Sequence, residues 1–118
     1  MKFLIFGTGD YYNRYKKWFP AKEVLALLDN SEKKQNTKID GIQVLPPEEG
    51  VRLPYDAIVI LSFYIKEMRR QLQSLGVPKE KIYHFYDLHG LIYREDRKKP
   101  EIFYGNAGKL IEDHSLLK

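Results

Sequence analysis

Two glycines near the start of the chain have the residue type and the spacing of a phosphate-binding turn. The sequence Gly7-Thr8-Gly9-Asp10 directly follows the mostly apolar run Lys2–Phe6. Glycine lets the backbone turn sharply, and it lets a ligand approach where a Cβ atom would block it. The next residues, Asp10–Phe19, are predicted to form a helix, so its first amide groups would face a phosphate held over the turn.

An acidic residue stands at the distance where nucleotide-binding domains hold a ribose. Asp29 lies twenty residues beyond Gly9 and ends a second apolar run, Glu23–Asp29. In a dinucleotide-binding βαβ unit, an acidic residue at about this distance hydrogen-bonds the ribose. The same negative charge would repel a 2′-phosphate, so NADP is the least favoured ligand. The chemistry that these residues predict is noncovalent binding of a nucleotide.

The turn departs from the full dinucleotide fingerprint at two positions. Tyr12 replaces the third glycine of Gly-x-Gly-x-x-Gly, so its side chain either rotates outward or pushes the helix away from the strand. Asp10 places a negative charge near the expected pyrophosphate, unless it caps the helix by accepting an amide hydrogen from Tyr12 or Asn13. The alternative is a strand, turn and helix that use these glycines without any ligand.

The elements that must position these residues alternate between strands and helices. Short apolar runs are typical of buried parallel strands, and five segments fit: Lys2–Phe6, Val24–Leu28, Ile42–Leu45, Ala57–Leu61 and Ile82–Tyr86. Helices are predicted over Asp10–Phe19, for about one turn from Pro46, and over Phe63–Leu75 with Gly76 after its end. We therefore expect an α/β domain of three layers, with a mostly parallel sheet of about five strands in the order 3-2-1-4-5.

In open sheets of this kind, ligands bind outside the carboxyl ends of the strands, where the strand order reverses. The residues predicted at those ends are Thr8, Gly9, Asp29, Asn30, Ser62, Phe63 and Asp87, with His84 or His89 as further candidates. The predicted core contains Leu4, Ile5, Val24, Leu27, Ile58, Ile60, Met68 and Leu72.

Length and composition bound the class of protein. The 118 residues predict one domain over residues 1–90, with residues 91–118 as a linker or tail that leads into a further domain. No apolar run is long enough to cross a membrane, and the lack of cysteine is typical of a cytoplasmic protein. The basic residues Arg14, Lys16 and Lys17 do not share one helix face, which disfavours binding of nucleic acid.

The sequence resembles Rossmann-like modules at the N-terminus of bacterial polysaccharide-biosynthesis proteins, including glycosyltransferases and nucleotide-sugar-modifying enzymes. The matching phrases span Met1 to about Leu88 and are Ile5–Gly9, Leu27–Ser31, Ile39–Val44, Tyr55–Ile60 and Leu75–Ile82. The resemblance implies a site for a nucleotide or a nucleotide-sugar, and it does not imply a catalytic group. Tyr12 in place of the third glycine weakens the same implication for NAD. The residues that it implies for this site are Gly7, Thr8, Gly9, Asp10, Asp29, Asn30 and Ser62.

The sequence does not assemble a recognisable catalytic set. His84, His89 and His114 lack the spacing of metal ligands. Tyr12 and Lys16 have the spacing of a Tyr-x-x-x-Lys pair, but they lie in the first predicted helix, and such pairs arise by chance in a chain with nine tyrosines.

Three functions follow as hypotheses. The favoured one is a binding module for a nucleotide or nucleotide-sugar that works with a C-terminal catalytic domain, such as a glycosyltransferase, or with a partner protein. The sequence leaves open whether the chain forms a homodimer. The second is a domain that has lost its ligand and contacts another protein through an aromatic surface near Tyr11, Tyr12, Phe63 and Tyr64. The third, a stand-alone NAD-dependent oxidoreductase, is disfavoured because no acid–base residue is placed for it.

Overall fold

The structure, a computed structural model, describes residues 1–85. Within them the chain forms β1 (Phe3–Phe6), α1 (Asp10–Tyr15), β2 (Val24–Leu28), β3 (Lys38–Ile39), β4 (Ile42–Leu45), α2 (Pro47–Gly50), β5 (Ala57–Ile60), α3 (Ile65–Ser74) and β6 (Ile82–His84). Single 3₁₀ turns occupy Lys16–Trp18, Ala21–Glu23 and Lys79–Lys81. The predicted tail at residues 91–118 lies outside the described residues, as do Asp87, His89 and His114.

The strands form one sheet of six, in the order β3-β4-β2-β1-β5-β6. All neighbours are parallel except β3 and β4, which pair antiparallel. The expected order of five strands was therefore wrong for the whole sheet, because it omitted β3. This strand has only two residues, Lys38 and Ile39, and so it carries no apolar run from which a strand could be predicted. The other five strands have the neighbours β4-β2-β1-β5-β6.

Helices cover both faces of the sheet. Successive side chains of a strand point to opposite faces, so neighbouring residues of one strand pack against different helices. Phe3 and Ile5 of β1 pack with α1 on one face, and Leu4 and Phe6 pack with α3 on the other. All four are buried, as expected for a central parallel strand. The α/β class is thus confirmed, and so is the burial of the eight predicted core residues: Leu4, Ile5, Val24, Leu27, Ile58, Ile60, Met68 and Leu72.

The helix ends differ from the prediction by a few residues. α1 stops at Tyr15 and continues as a 3₁₀ turn, and Phe19 is extended because Pro20 follows it. α3 begins at Ile65, two residues later than predicted, and ends at Ser74, one residue before the predicted end. Gly76, which follows the C-cap, adopts a φ of +93°. The amides of Gly76 and Val77 donate to the carbonyls of Gln73 and Leu72, each at 3.0 Å, which is the Schellman ending of a helix.

Candidate functional site

A cleft of about 370 Å³ opens at the carboxyl ends of β1, β2 and β5. These strands are parallel neighbours, so their ends meet at the same edge of the sheet. The cleft is lined by all seven residues predicted for a site: Gly7, Thr8, Gly9, Asp10, Asp29, Asn30 and Ser62. It is also lined by Phe6, Tyr11, Lys34, Leu61, Phe63, Tyr64 and Met68.

The two glycines of the turn have different roles. Gly7 has a φ of +118°, and its amide donates to the carbonyl of Leu28 at 2.9 Å. A Cβ atom on Gly7 would collide with the backbone carbonyl oxygen of Leu61. Gly9 is exposed and caps α1, and a Cβ atom there would have no atom within 4 Å. Gly7 therefore allows two strand ends to approach each other, whereas Gly9 leaves the cleft open.

A chain of three side chains crosses the floor of the cleft. The Lys34 ammonium donates to Thr8 Oγ1 at 3.1 Å, and the Thr8 hydroxyl donates to Asp29 Oδ2 at 2.6 Å. Asp29 Oδ1 accepts the amide hydrogen of Ser31 at 2.8 Å. The carboxylate is thus fixed from both sides, while each of its oxygens keeps a second lone pair for a ligand hydroxyl.

Lys34 is a cleft residue that the sequence did not single out. Among the described residues that line the cleft, it is the only one with a positively charged side chain, against the carboxylates of Asp10 and Asp29. It lies in a polar stretch beside Lys33. The neighbouring sequence does not distinguish the two lysines, because the three-dimensional path of the loop determines which of them reaches Thr8.

Asn30 and Ser62 line the cleft as structural polar groups. The side-chain Nδ2 of Asn30 donates to Gln71 Oε1 at 3.0 Å, and Asn30 Oδ1 accepts from Gln71 Nε2 at 2.8 Å. This pair of hydrogen bonds joins the end of β2 to α3. Ser62 Oγ accepts the amide hydrogen of Tyr64 at 3.1 Å. Both side chains keep further hydrogen-bonding capacity, but their first partners are protein groups.

Asp10 does not cap the first helix. It is the first residue of α1, and the capping position belongs to Gly9, without any side-chain capping bond. The Asp10 side chain is exposed at the cleft. Its negative charge lies near the amides at the start of α1, where it is favourable for the helix, and it remains beside any anion held at the turn.

Tyr12 neither rotates into solvent nor lies in the cleft. Tyr12 is 2% exposed and packs from α1 into the core on that face of the sheet, and its hydroxyl donates to Asp40 Oδ2 at 2.7 Å. Burial, and then the bond to Asp40, raise the pKa of the Tyr12 hydroxyl well above its usual range. Of the two alternatives expected for Tyr12, the outward-turned side chain is not the one observed, because a partner 28 residues away satisfies the buried hydroxyl.

Tyr12 and Lys16 do not form an acid–base pair in the cleft. The Lys16 ammonium also reaches Asp40 Oδ2, at 3.1 Å, so both residues converge on one carboxylate of the turn between β3 and β4. Neither residue is among those that line the cleft. A tyrosine whose pKa is raised by burial and by a neighbouring carboxylate is also a poor proton donor at neutral pH.

The described part of the chain contains neither a metal-binding cluster nor a membrane span. Residues 1–85 hold no group of three or more His, Cys, Asp or Glu side chains able to bind a metal ion. In the same residues, no helix has the length and apolar character needed to cross a bilayer.

Comparison with known sequences assigns a family. No curated protein matches the chain. A family model for the N-terminal domain of C2185-like proteins matches residues 1–83, which include β1 through β5 and every residue of the cleft. The match covers well over half of the 118 residues. The chain therefore belongs, through this domain, to the C2185-like N-terminal family.

Proposed function

We propose that this domain binds a nucleotide or a nucleotide-sugar in the cleft and does not react it. The observation that carries the proposal is the chain from Lys34 through Thr8 to Asp29 beside the glycine turn. A cation, a hydroxyl and a carboxylate are thereby held together at the carboxyl ends of parallel strands. A phosphate needs the cation, and a ribose needs the carboxylate. The Thr8 hydroxyl, which donates its one hydrogen to Asp29, holds these two groups in place.

The phosphate is held mainly by Lys34 in this proposal. α1 has only six residues, so its dipole is weak support for an anion. Gly9 contributes open space, since nothing lies within 4 Å of the position that a Cβ atom would take. Tyr12, which replaces the third glycine of the fingerprint, does not line the cleft and so does not obstruct the phosphate.

The size of the cleft supports a mononucleotide or a nucleotide-sugar over NAD. Pockets for small ligands typically measure about 300–1,000 Å³, and this cleft, at about 370 Å³, is near the lower end. A dinucleotide would extend well beyond it. Asp29 also opposes the 2′-phosphate of NADP by charge repulsion.

The wider context is part of the same proposal. The central neighbours β2-β1-β5 and the glycine turn after β1 support a Rossmann-like arrangement. The resemblance to polysaccharide-biosynthesis proteins supports a cytoplasmic domain that serves a catalytic domain, such as a glycosyltransferase, on the same chain or on a partner. In this role the module holds the nucleotide part and supplies no acid or base.

The test is a thermal-shift and calorimetric screen of UDP-, GDP-, CDP- and dTDP-sugars, NAD and NADP. A ligand at 100 times its Kd stabilises the folded state by about 2.7 kcal/mol, which corresponds to roughly 10–20 °C for a domain of this size. Lys34→Met removes a charge-assisted contact to phosphate, so we expect binding to weaken about 10- to 100-fold.

Lys33→Met is the matched control, because Lys33 is exposed and does not line the cleft. It removes the same charge from the same loop, and we expect it to bind like the wild type. Equal losses for the two variants would show that only general electrostatic attraction is at work. The absence of any binding at millimolar concentration across the panel would refute the proposal.

A second candidate function is a protein-interaction module. It is favoured by Phe63 and Tyr64, whose side chains are 70% and 62% exposed. Large exposed aromatic residues are typical of contact surfaces. This function would remain if the screen found no ligand. It predicts that binding of the partner protein is the same for Lys34→Met and for the wild type.

A further inference from the structure

An exposed aromatic pair borders the cleft on the side away from Asp29. Phe63 and Tyr64 follow the end of β5, and their ring centroids lie 5.7 Å apart with the rings nearly perpendicular, at 87°. Within residues 1–85 they are the only large hydrophobic side chains that are exposed. Both line the cleft, so their exposed faces are available to a ligand.

The backbone that carries the pair is ordered by local hydrogen bonds. The amide of Tyr64 donates to Ser62 Oγ at 3.1 Å, and the carbonyl of Tyr64 accepts the amide hydrogen of Met68 at 3.0 Å, in the first turn of α3. Phe63 and Tyr64 therefore stand at a fixed junction between β5 and α3. A ligand that contacts the rings does not have to order this segment first, which favours binding.

The cleft has a charged end and an uncharged end. Asp29 and Lys34 belong to the segment after β2, whereas the aromatic pair follows β5, and β1 with its glycine turn lies between them. Two strand spacings of about 4.8 Å separate β2 from β5, so the two ends are about 10 Å apart. The lining residues Leu61, Ser62, Phe63 and Tyr64, which directly follow β5, carry no charge, and the third charged side chain of the lining, Asp10, lies at the start of α1.

We propose that Phe63 and Tyr64 bind the sugar of a nucleotide-sugar by packing their ring faces against its C–H bonds. The inference rests on the proposed function, in which Asp29 holds the ribose and Lys34 holds the phosphate beside the glycine turn. The base is attached to the ribose and stays on the β2 side, so the group on the distal phosphate extends toward β5. The negative face of an aromatic ring attracts the weakly positive C–H face of a sugar.

The experiment compares each free nucleoside diphosphate with its sugar conjugate by calorimetry. The probes are UDP and UDP-glucose, GDP and GDP-mannose, CDP and CDP-glucose, and dTDP and dTDP-glucose. The variants Phe63→Leu and Tyr64→Leu keep an apolar side chain but remove the ring, and Tyr64→Phe keeps the ring. Because the side chains are exposed, we expect all three variants to unfold at the wild-type temperature.

The expected result is selective. The two leucine variants bind the sugar conjugate about three- to tenfold more weakly and bind the free nucleoside diphosphate unchanged, whereas Tyr64→Phe binds both like the wild type. Lys34→Met weakens both ligands by the same factor, which separates the phosphate end from the sugar end.

Two results would overturn the inference while leaving the proposed function intact. Equal weakening of both ligands in the leucine variants would place the base against the rings, and unchanged binding of both would mean that the rings do not contact the ligand. If the wild-type protein binds none of the probes, the proposed function fails and this inference fails with it.

Discussion

Replacing each glycine of the turn by alanine should separate folding from binding. At Gly7, alanine meets two penalties: a φ of +118° and a collision with the Leu61 carbonyl oxygen. The strained backbone costs about 1–3 kcal/mol, and overpacking against a fixed group adds about 1–3 kcal/mol. Domains of this size are stable by about 5–15 kcal/mol, so we expect Gly7→Ala to lower the unfolding midpoint by at least about 10 °C.

At Gly9 the same substitution should hardly change stability. Its φ is −98°, and the added methyl group has no neighbour within 4 Å. Loss of a good capping residue costs several tenths of a kcal/mol, and the reduced entropy of the unfolded chain returns about 0.4–1 kcal/mol. The methyl group instead enters the cleft, so Gly9→Ala should weaken nucleotide binding.

Gly41→Ala measures the loss of stability that comes from the strained backbone alone. Gly41 has a φ of +79°, and no atom lies within 4 Å of the position that its Cβ atom would take, so this variant reports the strain without the collision. The assay is urea unfolding followed by far-UV circular dichroism and by the fluorescence of Trp18, with free energies compared at equal m-values. A loss below about 1 kcal/mol for Gly7→Ala, or equal losses for Gly7→Ala and Gly41→Ala, would refute the role given to the Leu61 carbonyl.

Three further outcomes are expected. The hydrogen bond from Tyr12, and then that from Lys16, lower the pKa of Asp40. The stability that the Asp40 carboxylate contributes is therefore present above about pH 4 and is lost as the pH falls through the lowered pKa. When thermal unfolding is followed from about pH 7 to about pH 3, Tyr12→Phe should lose less stability than the wild type. Leu27→Ala removes a side chain that is 0% exposed and should cost about 2–5 kcal/mol in urea unfolding. Gly76→Ala forces alanine into a φ of +93° and should cost about 1–2 kcal/mol by the same assay, whereas Gly76→Asn should cost less.

The sequence predicts the parts of this fold that depend on local pattern. The apolar runs of β1, β2 and β5 identify buried strands without reference to any other segment, and parallel strands necessarily bring their carboxyl ends together. For that reason the sequence alone is enough to place Gly9, Asp29 and Ser62 at one cleft.

The features that could not be predicted depend on contacts between distant residues. The buried hydroxyl of Tyr12 is satisfied by Asp40, which lies 28 residues away in the turn between β3 and β4. Lys34 is distinguished from Lys33 only by its bond to Thr8, 26 residues earlier. β3 exists because β4 is there to pair with it, and its own two residues have no strand pattern.

The short strand β3 also affects the tendency of the protein to aggregate through the edge of its sheet. Without it, β4 would be the outer strand of the sheet, and its free amides and carbonyls would be a template for pairing with another chain. Instead, β3 pairs with Ile42 and Gln43, and the two residues just before β3 satisfy the next position of β4: the amide of Val44 donates to the carbonyl of Thr37 at 2.8 Å, and the carbonyl of Val44 accepts the amide hydrogen of Asn36 at 2.7 Å. The new edge is only two residues long and carries the exposed Lys38. On this side, the sheet is therefore protected against edge-to-edge aggregation by a segment with almost no strand propensity of its own.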